Sequence, residues 1–127
     1  MKALADTSVF IARESSRALD HDALPEELGI SVITVGELRA GVLAAADVAV
    51  RDRRLATLTA VLAFDPIPVD TAVADAWARL RVMLREARRR MPGNDSWIAA
   101  TALALRVPVV TQDDDYAAVA GLEIIRV

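Results

Sequence analysis

Short apolar runs along the chain alternate with stretches whose apolar residues recur every three or four positions, and this alternation predicts strands and helices in turn. Lys2 to Ala5 reads as a first strand, and Asp6-Thr7-Ser8 can cap a short helix beginning near Val9. Gly29 to Ile33 reads as a second strand, and Thr34 opens a helix that carries Val35, Leu38 and Val42 on one face. A helix through Leu55, Leu58 and Leu62 stops near Asp65-Pro66, and Pro66 to Val69 makes a short strand. Asp70 caps a long helix with Val73, Trp77, Leu80 and Leu84 in register. Met91-Pro92-Gly93 breaks the chain, and Asn94 or Asp95 starts a helix through Ile98, Ala102 and Leu105. Pro108 to Thr111 is a strand, Asp115 to Ala120 a short helix, and Leu122 to Ile125 a last strand. The expected fold is α/β, with three layers: a central, mostly parallel sheet of four to five strands flanked by helices, in one domain spanning 1–127.

The 127 residues suit one domain, and the 54% of hydrophobic residues suffices for a core built from Ala, Val, Leu and Ile, since aromatics are only 4%. The absence of cysteine excludes disulfides, thiolate metal sites and cysteine nucleophiles together. The first residues show no signal-peptide pattern, and the Ala-rich stretch from Val42 to Val50 is broken by Asp47 and followed by Arg51, Asp52, Arg53 and Arg54. No segment is expected to span a membrane, and a cytoplasmic location is expected. A net charge of -3 and a pI near 5.1 run against nucleic-acid binding by bulk charge, so any such binding needs a local basic patch, a metal ion, or both.

The acids fall where a parallel sheet puts its ligands, beyond the carboxyl ends of the strands. Asp6 follows the first strand, Glu37 comes just after the second, Asp113 follows Val109-Val110-Thr111, and Asp95 opens the helix after the Pro-Gly break. Carboxylates packed together repel and raise one another's pKa, and a hard divalent cation such as Mg²⁺ or Mn²⁺ removes that conflict. Each acid also has a plain structural reading. Asp6 and Asp95 suit helix starts, Thr34-Val35-Gly36-Glu37 spells a capping box, and Asp113, Asp114 and Asp115 suit a turn.

Four blocks in this order resemble the PIN-domain family, especially the VapC toxins of bacterial toxin–antitoxin pairs. They are Leu4-Ala5-Asp6-Thr7-Ser8-Val9-Phe10, Ser31 to Leu38 with Gly41, Asn94 to Ala102, and Val109 to Tyr116. The closing strand is matched by Leu122-Glu123-Ile124-Ile125. The resemblance implies that Asp6, Glu37, Asp95 and Asp113 surround Mg²⁺ or Mn²⁺, that Asp115 assists, and that Ser8 and Thr111 orient acids or water. It implies an endoribonuclease acting as the toxin of a type II pair, with transfer RNA as the favoured substrate, a VapB-type antitoxin as partner, and a homodimer.

Other residues are weighed against that reading. The only histidine, His21, sits in the polar Asp20-His21-Asp22, so acid–base catalysis by a histidine pair is impossible. Arg88, Arg89 and Arg90 just before Asp95 are candidate RNA contacts, or else a solvated helix end, while Trp77 and Trp97 read as core. An aspartyl-phosphate phosphohydrolase would want a second Asp where Ser8 stands, and a phosphate-binding lysine, yet the only lysine is Lys2. The remaining alternative is a catalytically idle PIN-like module that binds another protein.

Overall fold

Side chains alternate across a strand, so the first strand, β1 (Ala3–Ala5), feeds two cores at once. Ala3 and Ala5 join Val9, Phe10, Ile30, Leu38, Val42, Leu58, Val61 and Val110 on one side. Leu4 joins Leu80, Leu84, Ile98, Ala99, Ala102, Val109, Tyr116 and Val119 on the other. All three β1 residues are fully buried, as expected of a central parallel strand covered on both faces.

The computed structural model describes residues 1–127 throughout. After β1 come α1 (Thr7–Glu14), β2 (Leu28–Gly29), α2 (Val32–Leu43), α3 (Val48–Leu62), α4 (Thr71–Glu86), α5 (Gly93–Leu105), β3 (Val109–Thr111) and β4 (Ile124–Arg126). The sheet order is β2-β1-β3-β4, and all pairings are parallel. Residues of α1, α2 and α3 supply the first core and residues of α4 and α5 the second, giving the three expected layers. No helix is long and apolar enough to cross a membrane.

Several boundaries differ from the sequence expectation, each for a local reason. The second strand stops at Gly29 because Ser31 turns its side chain back on the chain: its Oγ accepts from Ile33 N–H at 3.0 Å and caps α2, which starts at Val32. Thr34 therefore lies inside the helix, and the Thr34–Glu37 capping box does not form. The Pro66–Val69 strand reduces to one bridge, Ser31 to Ile67, since prolines on both sides of Ile67 lack an N–H to extend a ladder.

Helix α1 begins at Thr7 rather than near Val9, capped by Asp6. The exposed, polar first half of α3, capped by Asp47, carries no apolar stripe and was not anticipated. Helix α5 starts at Gly93 behind Pro92, so Asp95 is its third residue and not its cap. Residues 115–120 form consecutive turns instead of a helix. Their bonds, Ala117 N–H to Asp114 O and Val119 N–H to Tyr116 O, span three residues, and so short a segment has too few bonds to sustain a helix. The last strand moves to Ile124–Arg126 because Gly121 sits at φ 80°, a turn that glycine adopts without strain.

Candidate active site

The site begins with register. Ala5 of β1 stands opposite Val110 of β3, so Asp6, just past the end of β1, lies beside Thr111, the last residue of β3. Asp6 is only 2% exposed. Its Oδ1 accepts from the Ser8 N–H at 3.0 Å and from Ser8 Oγ, while its Oδ2 accepts from Thr111 Oγ1 at 2.8 Å. The two hydroxyls are themselves held: Ser8 Oγ accepts from the Gln112 N–H at 3.0 Å and Thr111 Oγ1 from the Asp113 N–H at 2.9 Å. The end of β1 is thereby tied to the end of β3 through the Asp6 carboxylate. Burial raises the pKa of Asp6, the Ser8 and Thr111 bonds hold it back, and the charge of Asp113 raises it again.

Glu37 reaches the same edge from the second turn of α2. Thr7 Oγ1 donates to its Oε1 at 2.7 Å and lies 3.0 Å from the buried Thr34 Oγ1. Half-buried Asp95 comes from the first turn of α5, and the hydroxyl of fully buried Tyr116 approaches its Oδ1 at 3.4 Å. The Asp95 pKa is pushed up to about 7. Burial contributes most, followed by a proton shared with Asp115 and by the charges of Asp115, Asp6 and Glu37. Tyr116 is held protonated by burial and by the neighbouring Asp6 and Asp95, so it acts as a donor.

Five sequence-predicted acids, Asp6, Glu37, Asp95, Asp113 and Asp115, thus share one electrostatic neighbourhood, with Asp113 acting on Asp6 and Asp115 on Asp95. Asp114 of the same run is exposed and pairs instead with Arg126. No cation neutralises the five: the ion pairs are Met1 amino to Glu27, Arg79 to Asp75, and Arg126 to Asp114. A set of uncompensated oxygen donors fits a hard divalent cation, although no three of them close tightly enough to enclose an ion as they stand.

Arg88, Arg89 and Arg90 are exposed in the turn after α4, with Arg88 at φ 53°. His21 is exposed in a turn. The tryptophans depart from the core expectation: both are half-buried and cover each other, with centroids 4.3 Å apart and planes 2° from parallel, at the seam of α4 and α5. Thr7 and Tyr116 have no role in the sequence reading, and Thr34 enters it only as a helix start. Their only sign is position, Thr7 beside Asp6 and Tyr116 closing the acidic run.

Comparison with known proteins identifies the family and the fold. The PIN domain family model matches residues 3–122. The chain is 53% identical to Ribonuclease VapC5 of Mycobacterium tuberculosis over 125 residues, covering 96% of this chain and 93% of that protein. It is 48% identical to Ribonuclease VapC4 of the same organism, covering 99% and 97%. Among solved structures it resembles a chain of VapBC-5, a member of the VapBC family of toxin–antitoxin systems from Mycobacterium tuberculosis. The TM-score is 0.91 at 49% identity, over 99% of this chain and 98% of that one.

Proposed function

The chain belongs to the PIN-domain family, in its VapC branch, and on that premise we propose that it is a metal-dependent endoribonuclease acting as the toxin of a type II toxin–antitoxin pair. The observation that carries the reading is the convergence of Asp6, Glu37, Asp95, Asp113 and Asp115 at one sheet edge with no cation among them. Relatives named ribonucleases, at about half identity over nearly the full length, support the reaction class. A solved relative described as a toxin–antitoxin system supports a VapB-type antitoxin as partner. Transfer RNA is the substrate we favour, with a homodimer as the working assembly in the cytoplasm.

In this reading Asp6 and Asp95 are the principal ligands of Mg²⁺ or Mn²⁺, with Glu37, Asp113 and Asp115 completing the ring. When bound, such an ion polarises the phosphate and acidifies water, the chemistry a hindered phosphodiester needs. The chain's own part is preorganisation. Ser8 and Thr111 fix both oxygens of Asp6, Thr7 fixes Glu37, and Tyr116 directs its proton toward Asp95.

The test is purified protein incubated with total RNA in Mn²⁺, with cleavage ends mapped by sequencing beside Asp6→Ala and Asp95→Ala controls. Discrete cleavage ends that vanish in EDTA and in both variants are expected. Cleavage at the wild-type rate by either variant would remove the acids from the mechanism.

A further inference from the structure

Opposite in charge to the acidic edge, and sharing the first turn of α5 with it, lies a cavity of about 560 Å³ between the end of α4 and the start of α5. Its rim carries Arg81, Arg85, Arg89 and Arg90, with Gly93 and Ser96 on the α5 side, and no acid lines it. None of the four arginines forms an ion pair. Four like charges around one hollow repel, and an anion inside relieves all of them.

The wall is also rigid. The Arg81 guanidinium lies 4.9 Å over the Trp77 ring, Trp77 stacks on Trp97, and Trp77 Nε1–H donates to Ser96 Oγ at 3.1 Å. Pro92 gives α5 no side-chain cap, so the positive end of that helix adds to the field at Gly93.

We propose that this cavity is a phosphate-binding subsite that grips single-stranded RNA beside the scissile bond. Its place favours RNA over an acidic peptide: Ser96 in the wall directly follows Asp95, so the cavity and the acids occupy adjacent faces of the first turn of α5, about 100° apart and within about one helix diameter, roughly 10 Å. A strand bent round that helix end, with its reacting phosphate at Asp95, brings a neighbouring phosphate within reach of the arginines. The subsite gives a protein of net charge -3 its local hold on a polyanion. Of the three arginines singled out in the sequence, Arg89 and Arg90 line the cavity and Arg88 does not. The proposal rests on the ribonuclease reading.

The experiment compares wild type, the triple variant Arg85→Gln/Arg89→Gln/Arg90→Gln, and a charge-matched control, Arg17→Gln/Arg51→Gln/Arg53→Gln, whose residues are exposed elsewhere. Binding of a short fluorescent oligoribonucleotide is read by anisotropy in EDTA, and KM and kcat are read in Mn²⁺, both across a salt series. With about 0.7 of slope per neutralised phosphate on a single strand, loss of the one phosphate held in the cavity is expected to flatten log K against log salt by about 0.7, and the control variant by nearly nothing. KM is expected to rise about tenfold with kcat within about twofold, the mark of binding lost equally in ground and transition states. A cavity variant with wild-type slope and KM, in a protein that does cleave RNA, overturns the proposal. So does unchanged RNA binding together with weakened capture of a co-expressed antitoxin, which assigns the cavity to an acidic peptide. A wild-type protein that cleaves no RNA with Mn²⁺ present instead sinks the ribonuclease reading itself.

Discussion

Replacing Asp95 with Asn tests the electrostatics of the acidic edge without using RNA at all. In the folded, metal-free protein the Asp95 pKa stands near 7 against an ordinary 3.8, because the carboxyl is partly buried and lies beside Asp115, Asp6 and Glu37. An acid whose folded pKa is raised binds its proton more tightly folded than unfolded. Its effect on stability is therefore neutral below the unfolded value and grows more unfavourable as pH climbs toward the folded one. Three units at 1.36 kcal/mol each set a ceiling of about 4 kcal/mol. Half-buried Asp95 sees enough water that about 1–2 kcal/mol is the expected loss. For a domain of this size that is a fall in Tm of roughly 4–8 °C between about pH 4 and about pH 7.

The assay is thermal unfolding in EDTA across that range for wild type and Asp95→Asn. The variant, neutral throughout, is expected to show a markedly shallower fall, the remaining slope coming from the other acids. Mn²⁺ is expected to raise the wild-type Tm, more at the alkaline end where the ligands are ionised, and to raise that of the variant far less. Parallel curves for the two proteins, with and without Mn²⁺, would refute the claim that Asp95 sits among uncompensated carboxylates.

Thr111→Ala leaves Asp6 Oδ2 without its donor, so a loss of about 1–3 kcal/mol in urea unfolding and a drop in kcat/KM are expected, with Thr111→Ser recovering most of both. Within the acidic run, Asp113→Asn is expected to depress cleavage of an RNA substrate while Asp114→Asn, which only loses an exposed pair with Arg126, leaves rate and Tm unchanged. Leu4→Ala opens a cavity in the centre of the sheet and is expected to cost about 2–5 kcal/mol by denaturant titration. His21→Ala, at an exposed turn, is expected to leave the pH–rate profile of cleavage unmoved.

By itself the sequence determined the layer architecture, because burial on both faces of short strands and on one face of each helix writes its own period into the chain. It also named Asp6, Glu37, Asp95 and Asp113, since acids directly after strands or at a helix start can reach the carboxyl edge of a parallel sheet, while Asp115 came only from the family resemblance. What it could not separate was rank within that edge. Asp114 looks the same as its neighbours until β4 brings Arg126 alongside it. Glu37 read as half of a capping box until Ser31 took the cap.

The family resemblance pointed to Ser8 and Thr111 as hydroxyls that orient acids, but the bond from Thr111 to Asp6, 105 positions away, and the part of Thr7 were decided only by tertiary structure, because those partners are set by packing and strand register. The same holds for the tryptophans and arginines. A helical stripe makes Trp77 look like core, and a basic helix end looks like a solvated face. Packing α4 on α5 turns the indoles toward each other and closes the guanidinium groups around a hollow. Periodicity records which residues leave water, whereas the identity of the neighbour that replaces water is a property of the folded chain alone.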